Sequence, residues 1–475
     1  MQARGDGPCA SKSGGARHEG MRRVGPRSQA LATTWETTVA DDAIVPGSLA
    51  PAPAPPAQTP ASAVPFRDLC TDCGISRSSD PGRCGRACQF IRPRHAELEE
   101  RVHGRRRDPQ RPDELHFGPH LEMIRARRRE PAPGAQWSGI TTRLGELLLE
   151  SGRVDAVLAT ASDPQDRWRP RPVLVTRPQD MADCRGMKMG FSPVLALLDE
   201  VARQGHRRIA VIGIPCQVHA LRALEEELGL DALYVIGTPC SDNTTTDRFH
   251  RFLELLSDRP DEITYLEFCP DYRVEIRFRD GRVQRIPFLQ LPISELPADF
   301  FPLTCRSCVD YANALSDITV GYMGGDGKGG DAHQWLLVRN ERGRELMELI
   351  GPELERSPLR SSGRRESAVR GYLSNLERAA GGLPLRRMPN WLRPVVARLQ
   401  RAFGPRGLEF ARARIEMKVL EGIVALRAQR PRRLRWMVPA SHWALAARYG
   451  VTPRPGEIET DAADRKRRPI GGTSS

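Results

Sequence analysis

Aromatic residues, lysine and long apolar runs are scarce in this chain of 475 residues. Only 6% of the residues are aromatic, so the chain lacks the mixture of basic and aromatic residues that single-stranded nucleic-acid binding uses. No apolar run has the length of a signal-peptide core or of a membrane-spanning helix. We therefore expect a cytoplasmic protein with no nucleic-acid partner.

Arginine carries nearly all of the positive charge. The net charge is +13 at pH 7, yet lysine occurs only at Lys12, Lys188, Lys328, Lys418 and Lys466. An excess of positive charge suits an acidic protein partner. The preference for arginine also indicates a GC-rich genome.

The two ends differ in composition from the rest of the chain. Residues 1–65 are rich in Gly, Ser, Ala and Pro without apolar periodicity, and APAPPAQTPASAVP is typical of a flexible or polyproline-like segment. We expect a disordered leader over 1–65 and a disordered tail over 453–475. Between them we expect a small, cysteine-containing N-terminal domain over 66–125, an α/β domain over 126–345 and a helical region over 346–452.

The pattern of apolar residues from about residue 134 predicts the fold class. GAQWSGITTRLGELLLESGRVDAVLAT (134–160) predicts a turn, a helix and a strand, and SPVLALLDEVARQG (192–205) predicts a helix. RRIAVIGIPC and DALYVIGTPC predict buried strands, and ALSDITVGYMGG predicts another. This alternation predicts an α/β fold with a mainly parallel sheet. Asp280-Gly281 predicts a hairpin as a local antiparallel addition.

Eight of the 11 cysteines form two groups of four. The first group lies in LCTDCGISRSSDPGRCGRACQF and consists of Cys70, Cys73, Cys84 and Cys88. The second consists of two cysteines that follow predicted strands and a Cys-x-x-Cys pair, namely Cys216, Cys240, Cys305 and Cys308. In a reducing compartment such groups indicate metal or redox chemistry before disulfides.

The spacing of the first group is compatible with zinc and with an iron–sulfur cluster, because both use four thiolates and a Cys-x-x-Cys start. The second group favours a cluster, since its members come from a sheet edge where α/β proteins bind cofactors. We expect Cys9, Cys184 and Cys269 to be ordinary thiols.

Several stretches resemble one known family. They are LCTDCG, EERVHGRRRD, GAQWSGI, SDPQDRWRPRPVL, GIPCQVHALR, LYVIGTPCSDN, CRSCVDYANALSDITVGYMG, VRNERG and GPRGLEFARARIE. Over about 66–450 the chain resembles the beta-subunit family of deazaflavin-reducing hydrogenases and dehydrogenases. The similarity is greatest to the branch of ferredoxin-dependent 8-vinyl reductases of divinyl chlorophyllide and 7-hydroxymethyl chlorophyll a reductase.

The resemblance implies FAD, two 4Fe-4S clusters, reduced ferredoxin as electron donor and a tetrapyrrole substrate. By position, the second cysteine group matches the family's cluster near the flavin. In the first group Ser76 stands where the branch has its third cysteine. The resemblance therefore implies Cys84 as the substitute ligand, and Cys88 matches the family's last ligand.

Two stretches are candidates for flavin binding. The turn with Gly134, Ser138, Gly139 and Thr141 could present donors to a phosphate at a helix start, or it could form only a tight turn and a helix cap. Lys188 is a second phosphate candidate, because lysine is rare here and Ser192-Pro193 is expected to begin a helix. The alternative is a solvated surface lysine.

These features predict an oxidoreductase that reduces the 8-vinyl group of divinyl (proto)chlorophyllide to ethyl in (bacterio)chlorophyll biosynthesis. Reduction of 7-hydroxymethyl chlorophyll a ranks second, because a GC-rich bacterium is not expected to turn over chlorophyll b. A deazaflavin-linked flavin oxidoreductase and a non-enzymatic, zinc-stabilised basic binding module are further alternatives. The proton donor stays unassigned, since His333, Tyr322 and Asp310 are expected to be structural.

The stretch NWLRPVVARLQRAF (390–403) predicts an amphipathic basic helix. Its apolar residues recur every four positions, at Trp391, Val395, Leu399 and Phe403. Packing into a core is the commoner meaning of such a pattern. Contact with a membrane surface or with an apolar pigment is the alternative hypothesis.

Overall fold

The computed structural model describes residues 69–451 except 270, 298, 322–331, 381–388 and 430–436. The leader predicted over 1–65, the tail predicted over 453–475, Cys9 and Tyr322 lie outside the described residues. The strands are β1 (Glu122–Arg128), β2 (Ala156–Ser162), β3 (Pro170–Val175), β4 (Arg208–Gly213), β5 (Ala232–Gly237), β6 (Ile263–Cys269), β7 (Arg273–Phe278), β8 (Val283–Pro287), β9 (Ile318–Gly321), β10 (Gln334–Val338), β11 (Leu354–Ser357), β12 (Ser361–Ser362) and β13 (Arg406–Gly407).

The helices lie between and after these strands. They are α1 (Cys84–Ala87), α2 (His95–His103), α3 (Pro112–Phe117), α4 (Ile140–Glu150), α5 (Leu198–Gln204), α6 (Pro215–Leu224), α7 (Thr246–Leu256), α8 (Leu303–Arg306), α9 (Glu341–Ile350), α10 (Arg365–Ala380), α11 (Arg393–Phe403), α12 (Leu408–Gln429) and α13 (Ala440–Arg448).

Eight strands form one mixed sheet in the order β11-β1-β10-β9-β5-β4-β2-β3. Its centre is parallel, because β2 pairs with β4, β4 with β5 and β5 with β9 in the same direction. The outer pairs are antiparallel. The parallel sheet predicted from alternating helices and strands is thus confirmed at its centre, where helices cover apolar strands.

The predicted hairpin forms, but in a different sheet from the one expected. Strands β7 and β8 pair antiparallel around Gly281, whose φ of 83° is the left-handed conformation that such a turn requires. They pair with β6 in a separate three-stranded sheet and do not extend the eight-stranded one. The buried face of this small sheet packs against α7 around Val274, Ile276 and Phe249.

The helix predicted over 192–205 is shorter than expected. A 3-10 turn covers Val194–Leu197, and α5 begins only at Leu198. Ser192 therefore does not begin a helix. Its hydroxyl instead lies 2.9 Å from the Thr160 hydroxyl at the end of β2.

The N-terminal and C-terminal segments share apolar cores with the α/β part. Ile75 and Leu98 pack in the same cluster as Val211 of β4. Helix α12 packs Val419 in a cluster with Trp335 of β10. This packing brings both segments against the sheet, and cysteines from distant parts of the sequence meet there.

Candidate cofactor site

A cleft of about 450 Å³ opens beyond the carboxyl ends of β4 and β5. This is the edge of a parallel sheet at which α/β proteins bind cofactors. The cleft is lined by the start of α4, by the segment after residue 184 and by the loops that follow β4 and β5. Gly213 and Gly237 are paired in register, so the two loops start side by side.

Three of the five residues predicted to bind the flavin line the cleft. Gly139 and Thr141 belong to the start of α4, and Lys188 belongs to the segment after residue 184. Gly139 has a φ of 83°, and a Cβ there would lie 2.9 Å from the Cβ of Ala135. A side chain at this position is therefore excluded both by backbone strain and by contact.

Gly134 and Ser138 are placed in the supporting turn and do not line the cleft. The Ser138 hydroxyl is fully buried and accepts the backbone N–H of Arg128 at 3.0 Å. Gly134 has a φ of 74°, which the turn before α4 requires. These two residues shape the turn that presents Gly139 and Thr141.

Lys188 is a half-buried cation in the wall of the cleft. Its ammonium donates to the carbonyl oxygens of Arg185 at 2.6 Å and Gly186 at 3.3 Å. Burial lowers the pKa of Lys188 to about 8. An ammonium that is held by carbonyls in a partly desolvated wall attracts an anionic group that enters the cleft.

The second cysteine group lines one small cavity beside the cleft. Cys216 lies in the first turn of α6. The backbone N–H of Cys240 donates a hydrogen bond at 3.1 Å to the carbonyl oxygen of Tyr311, a residue that follows the Cys305–Cys308 segment in sequence. All four cysteines line the cavity, and Cys240 lines the cleft as well. The structure therefore brings the four predicted ligands to a single place that shares a wall with the cleft.

The thiols of this group are strongly desolvated. Burial raises the pKa of Cys305 to about 12, and it raises the pKa of Cys216 and Cys240 well above the ordinary value. The neighbouring thiols raise the pKa of Cys216 and Cys240 further. Buried thiolates need a compensating positive centre, and a bound metal cluster supplies one.

The first cysteine group also gathers in space, and Cys84 is part of it. Burial raises the pKa of Cys84 to about 11, and Cys70 and Cys88 add to the rise. The pKa of Cys73 is raised by burial, then by Cys88, Cys84 and Cys70. The hydroxyl of Ser76 forms a hydrogen bond with Cys84, which lowers the pKa of that thiol. Ser76 thus contacts the thiol that is predicted to replace it as a ligand.

The two cysteine groups adjoin each other. The Thr71 hydroxyl, between Cys70 and Cys73 in sequence, forms a hydrogen bond with Cys216. The Nε2 of Gln89 lies 3.6 Å from the Sγ of Cys308. Along the molecule the order is therefore the first group, the second group and the cleft.

Within the described part of the chain, the ten cysteines are all free thiols. Among the same residues, no group of three or more His, Cys, Asp and Glu side chains is arranged to hold a single metal ion, which is a different arrangement from the four thiolates around a multi-iron cluster.

Two family models match the part of the chain that builds this site. The model for the N-terminal part of the coenzyme F420 hydrogenase/dehydrogenase beta subunit matches residues 123–199, and the model for its C terminus matches residues 206–358. An uncharacterised protein of Nostoc sp. is 35% identical over 402 residues, which make up 85% of this chain and 98% of that protein. The chain belongs to this beta-subunit family.

A second relative in this family carries a functional name. The chloroplastic 7-hydroxymethyl chlorophyll a reductase of Oryza sativa subsp. japonica is 38% identical over 361 residues, which are 74% of this chain and 76% of the rice protein. A chain of the F420-reducing [NiFe] hydrogenase complex from Methanosarcina barkeri aligns with a TM-score of 0.46 and 20% identity over 61% of this chain and 91% of that chain. The two family models and the rice relative confirm the family and branch predicted from the motifs.

In this family member the structure adds residues that sequence reasoning missed. Asp242 lines both the cleft and the cysteine cavity. Its carboxylate accepts a hydrogen bond of 2.7 Å from the ammonium of Lys418 in α12. Glu267 of β6 lines the cleft. Lys418 could have been singled out from the sequence because lysine is rare in this chain. No local pattern distinguishes Glu267 from other acidic residues.

The remaining candidates have ordinary surroundings. The Asp310 carboxylate accepts the backbone N–H of Ala314 at 3.0 Å, a structural contact. His333 is half-buried and does not line the cleft. Cys184 lines the cleft, and burial raises its pKa to about 11.

Helix α11 presents a large apolar stripe to solvent. Trp391, just before the helix, is 73% exposed, and Phe403 at its end is 60% exposed, with Val395 and Leu399 between them. Packing into the core, the commoner meaning of this pattern, therefore does not account for these four side chains. Among the described helices, none combines the length and the apolar character needed to cross a bilayer.

Proposed function

We propose that this chain is a ferredoxin-dependent iron–sulfur flavoprotein that reduces the 8-vinyl group of divinyl (proto)chlorophyllide to an ethyl group. One observation carries the proposal: two cysteine groups adjoin each other, and the second shares a wall with a cofactor-sized cleft. Such an order suits electrons that enter singly and are used in pairs at the cleft.

The chemistry of the two cysteine groups fits 4Fe-4S clusters. Each group offers four thiols, the number of thiolates that such a cluster takes. Cys70, Cys73, Cys84 and Cys88 would hold one cluster, and Cys216, Cys240, Cys305 and Cys308 the other. Burial suits this role, because limited solvent access helps to set the potential of a cluster.

The cleft fits FAD through its positive wall and its helix start. Lys188 would bind the pyrophosphate as a cation, and the α4 start at Gly139 and Thr141 would offer backbone and hydroxyl donors to the same group. Bound FAD would supply the conversion between one-electron donors and a two-electron reduction. The chain's part is to hold the flavin in the cleft.

Reduction of 7-hydroxymethyl chlorophyll a is the second candidate, and a specific observation favours it. The rice protein that bears this name is 38% identical to the chain. Both candidate substrates are chlorophyll-type tetrapyrroles, so the comparison supports a chlorophyll-related reductase and leaves the reduced group to experiment.

The decisive experiment is an anaerobic assay of cluster-loaded and FAD-loaded protein with reduced ferredoxin. Divinyl chlorophyllide a and 7-hydroxymethyl chlorophyll a are supplied in parallel, and products are separated by chromatography. Conversion of the first to the monovinyl pigment supports the proposal. Conversion of the second alone assigns the alternative reaction, and oxidation by a deazaflavin with no response to ferredoxin assigns the wider family activity.

Metal analysis tests the non-enzymatic alternative. Protein purified without oxygen should contain iron, sulfide and flavin. Colourless protein with stoichiometric zinc and no flavin would instead identify a zinc-stabilised binding module.

We also propose that α11 contacts an anionic membrane surface. Its apolar stripe is exposed, and Arg398 and Arg401 lie on the same short helix. Arginine beside Trp, Leu and Phe is the composition of helices that lie in the plane of an anionic interface. Helix α11 contacts the turn Phe288–Gln290. The ring of Phe288 in this turn lies 6.0 Å from the ring of Phe268, which lines the cleft. The apolar stripe of α11 is therefore near the cleft.

A further inference from the structure

Two acidic side chains line the cleft, Asp242 and Glu267, and their surroundings differ. Asp242 is bound to the Lys418 ammonium, so its charge is compensated. Glu267 projects from β6 beside Phe268, and its Oε1 is buried with no hydrogen-bond partner among the described residues. A buried carboxyl oxygen without a partner is costly unless a ligand or a proton satisfies it.

The other oxygen of Glu267 has a defined partner. The Tyr265 hydroxyl donates a hydrogen bond to Glu267 Oε2, and the Arg277 guanidinium lies 4.3 Å from the centre of the Tyr265 ring. Arg277 forms its salt bridge with Glu275 at 2.8 Å and does not pair with Glu267. The tyrosine therefore fixes the orientation of the carboxyl group through Oε2 and leaves Oε1 unpaired, on a residue that lines the cleft.

Burial is the main influence that favours the neutral form of Glu267. Burial raises its pKa, and Glu275 on the adjacent strand adds to the rise, while the Tyr265 hydrogen bond and Arg277 oppose it. Cys269, two residues along β6, is also a titratable neighbour. A raised pKa favours the protonated form of a carboxyl group, and the protonated form is the one that can donate a proton in the cleft.

We propose that Glu267 is the proton donor of the reduction carried out in the cleft. In vinyl reduction, FAD bound in the cleft would supply a hydride equivalent to one carbon of the C=C bond, and Glu267 would donate its Oε1 proton to the other carbon. The π bond breaks, two C–H bonds form, and Glu267 is left as a carboxylate. For a hydroxymethyl substrate the same proton would go to the leaving hydroxyl, which departs as water.

The cycle closes within the same group of residues. The Tyr265 hydroxyl stabilises the Glu267 carboxylate through the hydrogen bond to Oε2. A proton from water would restore the acid when the product leaves the cleft, and two one-electron transfers from reduced ferredoxin would restore the two electrons. This inference rests on the proposed function for its substrate, but it concerns the chemistry of one side chain.

The test compares Glu267→Gln with Glu262→Gln, a matched carboxyl-to-amide change just before β6 and outside the cleft. Protein loaded with FAD and clusters is used throughout. We expect Glu267→Gln to keep its flavin, iron and pigment binding, and to lower pigment conversion by about 100-fold or more. Glu262→Gln should convert pigment at the wild-type rate, and Glu267→Asp should recover part of the loss.

A spectroscopic readout tests the protonation state without turnover. Infrared spectra at neutral pH should show the carbonyl stretch of a protonated carboxylic acid in the wild type and in Glu262→Gln, and its loss in Glu267→Gln. Tyr265→Phe should shift this band, because it removes the hydrogen bond to Oε2.

Two results would overturn the inference: wild-type conversion by Glu267→Gln, or infrared spectra of the wild type and Glu267→Gln that do not differ in this band. If the wild type converts neither pigment, the proposed function fails. The infrared comparison then still decides whether Glu267 carries a proton.

Discussion

The Nζ atom of Lys418 lies 2.7 Å from Oδ1 of Asp242, and the same ammonium donates to the carbonyl oxygen of Cys305. The two side chains are 176 residues apart in sequence. They form a buried ion pair between the cavity of the second cysteine group and the cleft.

This pair should set the reduction potential of the second cluster. Lys418→Met removes a positive charge next to Cys305, a proposed cluster ligand, so the reduced form of the proposed cluster would lose stabilisation and its potential would fall. Asp242→Asn leaves the cation uncompensated, so the potential rises. Coulomb's law at an effective dielectric constant of about 20 gives shifts on the order of 100 mV. Redox titration followed by electron paramagnetic resonance measures the potential in each variant. Shifts of the same sign in the two variants would contradict the proposed electrostatic effect of the pair.

Cys84 should be required for the first cluster. Cys84→Ala is expected to lower the iron content from about eight to about four atoms per chain, because one four-thiolate site is lost. Cys269→Ser should leave the iron content unchanged. The double change Ser76→Cys with Cys84→Ser moves the thiol to the position usual in the branch and should restore the iron. Full iron content in Cys84→Ala would show that another group is the fourth ligand.

Binding of FAD should weaken as pH rises through about 8. Burial lowers the pKa of Lys188 to about 8, so its ammonium is present below that pH and is lost above it. We expect the affinity of flavin-free protein to fall roughly tenfold between pH 7 and pH 9 by fluorescence titration. Lys188→Met should bind FAD weakly at both values, and Lys188→Arg should bind it equally well at both.

The lowered pKa of Lys188 also predicts that stability rises with pH, whereas FAD affinity falls. Its folded-state pKa lies below the ordinary value of 10.5, so the unfolded chain binds more protons between about pH 8 and 10.5. Lys188 therefore makes the free energy of unfolding rise with pH over that interval. Urea unfolding of the wild type and Lys188→Met should differ in slope with pH there, and parallel curves would rule out the lowered pKa.

Helix α11 should bind vesicles that contain anionic lipid. Flotation is expected to recover the wild type with phosphatidylglycerol vesicles and to lose it with Leu399→Glu plus Phe403→Glu, because two charges interrupt the apolar stripe. Val283→Glu changes a similarly exposed apolar residue on β8 and should still float. Wild-type protein that stays at the bottom of the gradient but forms dimers in solution would assign the stripe to a second copy of the chain.

Sequence alone determined the features that depend on local pattern. Apolar periodicity predicted the central strands β4 and β5, and Asp280-Gly281 predicted the β7–β8 hairpin. The two sets of four cysteines were recognised from spacing and from strand ends. Such features are readable because side-chain direction within a strand and the conformation of a tight turn follow from a few neighbouring residues.

Only the tertiary structure decided which side chains meet. The pairing of β6 put the hairpin in a separate sheet and brought Glu267 to the cleft, and the packing of α12 brought Lys418 to Asp242. The turn before α4 kept Gly139 at the cleft and turned Ser138 inward to Arg128. Most of these contacts join residues that are far apart in the chain, and one of them turns Ser138 away from the cleft that its sequence position suggested. Packing and the hydrogen bonding of buried polar groups depend on proximity in space, so they leave no periodic pattern in the sequence.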